Sequence, residues 1–394
     1  METQALKQPT RLVALDTEIF NKAKFNYQST SFRQLTKLAK DKKITLYLTT
    51  INQQEILSQL EKYSNESVLA LKSLHKDFRK KAFIIHNSNQ YRHLLNLRLN
   101  EQDLYKELIE QYNNFIKEAE VNILSVDTVP VEDIFNKYFN FTPPFKHGEK
   151  KYEFPDAFAI AAIEIKAKSE DRIIYVISGD KDWKDAVCLN ENLIYQENID
   201  EFLEEIITIE KESEEIDLCN EILEDNLPKI EAIISNNFII KEFSFSSYFD
   251  NGLFEPGSEN IDFVEVDAIE VIEKYIVDID DEDAENPVVT FELIVKVSYA
   301  ADVSFNSTEN AVWVGEDETY YGDLRHIEGK VQQQSILPVE VIIQLSRDKS
   351  YNLQFNSLHE AILDPNNTVP TIELKSDNFE VSYEDDDPYL EEYE

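Results

Sequence analysis

The chain of 394 residues is poor in cysteine, holding only Cys188 and Cys219, in unlike surroundings. Two thiols of that kind build neither a zinc knot nor a disulfide framework, so both are expected to stay reduced. Long hydrophobic runs are absent too: none approaches the roughly 20 apolar residues that span a bilayer. The opening METQALKQPTRLVAL lacks the apolar core of a secretory signal. A cytoplasmic protein with no membrane partner is therefore the expectation. Internal repeats are missing. The acid run DIDDEDAEN (278–286) lacks the glycine and terminal glutamate of a calcium loop and is read as a solvated hairpin turn. Basic residues are scarce overall, with 38 Lys+Arg against 78 Asp+Glu and a net charge of −40. That balance looks hostile to nucleic acid.

Its distribution says otherwise. Residues 1–150 carry 22 Lys+Arg against 18 Asp+Glu, a net of +4, while residues 201–394 carry 10 against 49, a net of −39. Such asymmetry indicates separate domains with separate jobs. In the first half, the apolar runs RLVAL, ITLYLTT, RIIYVIS and NLIYQ read as short buried strands. Between them, SFRQLTKLAKDKK, INQQEILSQLEKY and PDAFAIAAIEIKAK read as helices. Strands alternating with helices predict an α/β domain with a central parallel sheet over 1–205, carrying a helical basic insertion over about 64–145. An acidic helical linker is expected at 206–235. From 236 to 383 the period changes to alternation with turn residues between runs, which predicts an all-β C-terminal domain, an antiparallel sandwich or barrel. The acidic tail 384–394 is expected to be disordered.

Carboxylates end the predicted strands of the first half. Asp16 closes RLVAL, Asp180 follows VIS, Glu55 lies in the first turns of the helix after ITLYLTT, and Asp156 begins a helix beside Pro155. Side chains at the carboxyl ends of parallel strands converge on one crevice. Unpaired, four acids there repel one another and raise each other's pKa. A hard divalent cation such as Mg²⁺ or Mn²⁺ relieves this, and the same arrangement suits phosphoryl displacement.

In this order, LVALDTEIF, LTTINQQEI, FPDAFAIAAI and VISGDKDW resemble the four acidic motifs of PIN-domain nucleases, in particular longer bacterial forms with an extra C-terminal region. The resemblance covers about residues 11–205. It implies a divalent-metal-dependent nuclease, acting on RNA or single-stranded nucleic acid and leaving 5′-phosphate and 3′-hydroxyl ends. A toxin, RNA-turnover or phage-defence role lies within that range. It assigns Asp16, Glu55, Asp156 and Asp180 as the catalytic, metal-binding quartet, with Asp182 as a further metal-binding acid and Ser178 in support. Trp183 stands where the family usually has Phe, and Asp185 is read as a helix-start acid. The long spacing between Glu55 and Asp156 departs from compact toxin-like members.

Positive charge among aromatic groups suits a single-stranded nucleic acid. The stretch 72–98 supplies Lys72, Lys76, Arg79, Lys80, Lys81, Arg92 and Arg98, with Phe78 and Tyr91 among them; its histidines show no metal spacing. The alternative for this stretch is a solvated helical face. For the C-terminal half, charge disfavours nucleic acid and leaves an unknown protein partner or self-association. Two other functions fit parts of the pattern. The runs LDTE, LTT and GDKDWKD also resemble haloacid-dehalogenase-type phosphatases, with Asp16 as nucleophile. That reading puts Glu18 where Asp is expected, puts Phe20 where Thr or Val is expected, and leaves Glu55 and Asp156 unused. The last alternative is a non-catalytic protein-interaction scaffold.

Overall fold

A computed structural model describes residues 11–81, 84, 87, 101–146, 153–211, 213–245, 259–314, 319–347, 353–374 and 379–382. Arg92, Arg98 and the tail 384–394 lie outside the described residues, as do the side chains of Arg79 and Lys81. The chain divides into two compact units, Met1–Ile206 and Ile207–Glu394.

The first unit is built on five strands: β1 (Arg11–Leu15), β2 (Ile44–Thr49), β3 (Asn122–Leu124), β4 (Ile174–Ile177) and β5 (Leu193–Gln196). Their order is β3-β2-β1-β4-β5 and every pairing is parallel. Parallel pairing requires crossovers. These are α1 (Thr17–Lys22) with α2 (Thr30–Lys40), α3 (Thr50–Lys81) with α4 (Glu101–Glu118), α5 (Val131–Phe139) with α6 (Phe154–Glu170), and α7 (Lys181–Val187). In β1, Leu12, Val13, Ala14 and Leu15 are all buried, as a central strand covered on both faces demands. The chain winds outward through β2 and β3, then returns to the other side of β1 as β4. The carboxyl ends of β1 and β4 therefore flank the point where the winding reverses, which is where open α/β sheets form their crevice.

One expectation needs correcting. The segment 64–145, read as a helical insertion, contains β3 and its crossover helix α4, so part of it belongs to the sheet. Three residues are too short to declare a strand by periodicity. The basic residues Lys72, Lys76 and Lys80 ride the distal part of α3 and are exposed.

The division between units falls within α8 (Ile199–Glu210). The second unit holds α9 (Ser213–Phe238), β6 (Ser244–Phe245), β7 (Asn260–Asp280), β8 (Val288–Val314), β9 (Thr319–Arg347), β10 (Leu353–Leu363), β11 (Thr371–Ile372) and β12 (Phe379–Ser382). The antiparallel pairing read from sequence is present: β10, β9, β8 and β7 form one sheet in that order, with β12 against β9. Along β8 every second residue from Val289 to Phe305 is buried and paired mostly with apolar residues of β9. Each such large apolar side chain contributes about 1.5–3 kcal/mol.

The layer against that face is α9 together with the small β6–β11 pair, in place of a second large sheet. Cys219, Leu223, Ile230, Ile234 and Phe238 of α9 are buried in the same core, and the Phe238 ring lies 4.9 Å from that of Tyr299. Residues 206–235 read as a linker because acids outnumber the apolar stripe. The stripe, at spacings of four and seven residues, is what packs.

Candidate active site

Asp16 follows the last residue of β1 and caps α1, accepting a hydrogen bond from the Thr17 backbone N–H at 2.6 Å. It is only 4 % exposed. Ser178, just past β4, donates its hydroxyl to Asp16 Oδ2 at 2.7 Å, so the two strands at the switch point are tied by their own terminal side chains. The amide of Asn52 donates to Asp16 Oδ1 at 3.3 Å and to Thr17 Oγ1 at 3.2 Å. Thr17 in turn donates its hydroxyl to Glu55 at 2.8 Å.

Asn52 is held by the start of α3. Thr49 precedes that helix, and its Oγ1 accepts from the Asn52 backbone N–H at 3.1 Å. The Asn52 Oδ1 takes the Thr49 hydroxyl at 2.6 Å and faces the Thr49 backbone N–H at 3.4 Å. This is a capping box with Asn in the place of Glu or Gln. With its oxygen committed to the cap, the Asn52 amide must present its NH₂ to Asp16 and Thr17. One helix start thus orients Asp16 directly and Glu55 through Thr17.

The other two acids are placed in the same manner. Asp180 caps α7 and accepts from the Asp182 backbone N–H at 2.6 Å; its own N–H goes to Ser178 Oγ at 3.1 Å. Asp156 lies in the first turn of α6 behind Pro155, and the buried Trp183 donates its indole N–H to Asp156 Oδ1 at 3.0 Å. The ammonium of Lys22 rests against Gly179, where a Cβ would meet it, and also faces Glu18 at 3.7 Å.

The electrostatics link all four acids. Burial pushes the Asp16 carboxyl up to about 7, with Asp156 and Glu55 adding repulsion against the hydrogen bonds from Ser178 and Thr17. Asp156 is likewise pushed up to about 7, first by burial and then by Glu55, Glu153 and Asp180, against the Trp183 hydrogen bond. Acids from four crossovers therefore press on one another at one edge of the sheet. The site gathers Asp16, Glu55, Asp156, Asp180 and Ser178. Asp182 pairs with Lys146, which also reaches Asp185 at 3.2 Å. Asp185 belongs to the second turn of α7 rather than its start. Lys72, Lys76 and Lys80 lie far along α3 from Glu55. Among the described residues, no three acids, histidines or cysteines lie together closely enough to hold a metal ion.

Asn52, Thr17 and Lys146 join the site only in the fold, and Trp183, a substitution in the sequence, is there the partner of Asp156. The Thr-x-x-Asn spacing of 49–52 was the available signal for Asn52. Lys146 gave none, because it follows the turn at Pro143–Pro144 and meets Asp182 only in the fold.

In a parallel α/β domain, acids brought to the carboxyl ends of the strands at the switch point stand where such sheets place their sites. Residues 13–183 match the family model described as a PIN domain. This part of the chain is a PIN domain, of a family of nucleases, and it is extended by the C-terminal region. No curated protein and no solved structure matches the chain. Among the described residues, no helix is long and apolar enough to cross a membrane.

Proposed function

We propose that the N-terminal unit hydrolyses phosphodiester bonds in RNA or another single-stranded nucleic acid, with Mg²⁺ or Mn²⁺ held among Asp16, Glu55, Asp156 and Asp180. The observation that carries this is the pair of buried acids Asp16 and Asp156, tied to the ends of neighbouring elements and both pushed to about 7, first by burial and then by nearby carboxylates. Isolated structural acids have no reason to be gathered so. The donor set fits the group: all four side chains offer carboxylate oxygens, which hard divalent ions prefer. When bound, the ion supplies charge stabilisation and an activated water for in-line displacement.

The chain's own residues prepare the site. Ser178, Asn52 and the Thr17 N–H hold both oxygens of Asp16 in one orientation. Thr17 holds one oxygen of Glu55 and Trp183 holds one oxygen of Asp156. The phosphatase reading fits less well. Glu18, at the position of that family's second acid, faces Lys22, and Glu55 and Asp156 have no role in it. The −39 charge of residues 201–394 disfavours nucleic acid there, so we assign that half a protein contact.

The test is cleavage of labelled single-stranded RNA, single-stranded DNA and duplex DNA with Mn²⁺ or Mg²⁺, and with chelator. Asp16→Asn and Asp180→Asn should abolish a metal-dependent activity. Undiminished cleavage by both variants overturns the assignment, and a covalent phosphate trapped on Asp16 would favour the phosphatase.

A further inference from the structure

We propose that the groove between α2 and α4 binds single-stranded nucleic acid, as the part of the substrate that leads away from the carboxylate mouth. That the bound strand is a substrate rests on the nuclease reading; the binding itself does not.

The groove is a cleft of about 730 Å³ bounded by α2, α4 and the loop that joins α1 to α2. The two helices lie side by side in the same direction. Lys40 meets Glu118 at 3.1 Å near their C-terminal ends, and Lys42 pairs with Glu120 just beyond. Each helix precedes a parallel strand, β2 or β3, so each runs from the carboxyl edge of the sheet to its amino edge. The groove therefore starts at the edge that holds Asp16 and descends the side of the domain. The eleven residues of α2 give it a length of about 16 Å. The Lys40–Glu118 pair spans its far end.

Its lining complements a polyanion with polar bases, with Arg33, Lys37 and Lys40 against Asp41 and Glu118 at the far end. Arg33 and Lys37 are exposed one helical turn apart on the α2 wall, and Asn26, Gln28, Gln111 and Asn114 offer side-chain amides. Cations at such spacing follow a phosphate backbone, while amides pair with base edges in an unstacked strand. Arg33 gives one guanidinium nitrogen to Thr30 at 2.8 Å and keeps its other donors. Among the described residues Lys37 makes no ion pair. The floor is rigid: Tyr27 and Phe115 stack at 5.3 Å, and Phe20 and Phe32 pack against Phe115. Both floor rings are nearly buried, so they shape the groove rather than stack on bases. The acid mouth by itself repels a polyanion. Nearby surface must supply the attraction, and this groove supplies it at the same sheet edge.

The experiment is fluorescence anisotropy of the full chain with a fluorescein-labelled ten-nucleotide single-stranded RNA, in chelator so that no cleavage occurs. Arg33→Glu with Lys37→Glu should raise Kd at least about tenfold and flatten the log Kd against log salt slope by about 1.4, two single-strand contacts. A charge-matched control, Lys168→Glu with Lys330→Glu, should change neither by more than about twofold. Gln111→Ala with Asn114→Ala should weaken binding while leaving the salt slope unchanged. Circular dichroism checks that each variant is folded. Equal losses in groove and control variants, wild-type affinity in the groove variant, or no binding by the unaltered protein each overturn the proposal. If the chain binds through the groove yet cleaves nothing with any metal, the nuclease reading falls and the groove stands. If it cleaves and the groove variant binds as well as wild type, the groove falls alone.

Discussion

Asp16 and Asp283 carry the same side chain and are driven in opposite directions. Asp16 is buried at the end of a central strand, among Asp156 and Glu55, and its carboxyl is pushed up to about 7. Asp283 lies in the open turn between β7 and β8, where Asn286 and the Glu285 backbone N–H donate to it and hold it below the usual carboxylate range. The C-terminal half has by far the more acids, 49 Asp+Glu in residues 201–394. Its turn acids Asp281 and Asp283 are relaxed ones, satisfied by donors and water. The PIN unit has fewer acids, and burial, aided by neighbouring carboxylates, raises the cost of charging Asp16 and Asp156. Acid count thus predicts solubility and partner charge, whereas confinement marks a site.

The largest test of this contrast is Asp16→Asn. It should lower kcat/KM by about 10³-fold or more, because it removes a group from the reacting centre. It should also make the metal-free protein more stable at pH 8. A variant that loses both activity and stability would show Asp16 to be a structural cap and no more. Unfolding of the PIN unit can be followed through Trp183 in a Trp313→Phe background, which keeps the two units' transitions apart.

The pH dependence comes next in size. Asp16 has a folded pKa raised from 3.8 to about 7. The metal-free unit should therefore be most stable below about pH 4 with respect to this group. It should lose stability as pH rises toward 7, by on the order of 4 kcal/mol, and level off above. Urea titrations at pH 4 to 8 read this slope, and Asp16→Asn should flatten it. Mn²⁺ should reverse it, since its affinity climbs as the carboxylates lose their protons. A stability that rises between pH 4 and 7 without metal would break the comparison.

How much of this was legible in the chain depended on whether the signal was local. Asp16, Glu55, Asp156 and Asp180 each stand at a strand or helix end, so pattern alone brought them to one edge. The apolar alternation of β8 and β9 announced the antiparallel sheet. What stayed hidden was non-local or contrary to composition. The acids of α9 give it the composition of a linker and mask Leu223, Ile230, Ile234 and Phe238, whose burial becomes evident only against the sheet. Strand β3 is an edge strand of three residues. Asn52 looked like an ordinary polar position in a helix, and its role appears only when the Thr49 cap turns its NH₂ toward Asp16.

A smaller effect is expected at Trp183. Phe at this position retains an aromatic ring in the buried site and loses the hydrogen bond to Asp156. Outer-shell partners of metal-binding groups are typically worth 10–100-fold in affinity. Trp183→Phe should raise the Mn²⁺ concentration for half-maximal activity by about tenfold, with kcat at saturating metal within about threefold. The other half of the check is direct: Mn²⁺ should change Trp183 emission in the Trp313→Phe background, and Asp156→Asn should remove that response. Unaltered metal dependence in Trp183→Phe would reduce the indole to packing.

The smallest effect belongs to the relaxed acids, and its sign is the useful part. Asp281 pairs with Lys211 at 2.8 Å while its side chain stays 56 % exposed. The hydrogen bond from Lys211 lowers its pKa. A depressed carboxylate contributes stability above its unfolded pKa, near 4, and loses it as pH falls through the folded value. That is the reverse of Asp16. Because water and salt screen so exposed a pair, Asp281→Asn should cost no more than about 0.5 kcal/mol at pH 7 and nothing at pH 2. Measured side by side in urea, Asp281→Asn should destabilise its unit slightly toward neutral pH, where Asp16→Asn stabilises the other one. If both substitutions shifted stability in the same direction with pH, burial would not be what separates the two kinds of acid in this chain.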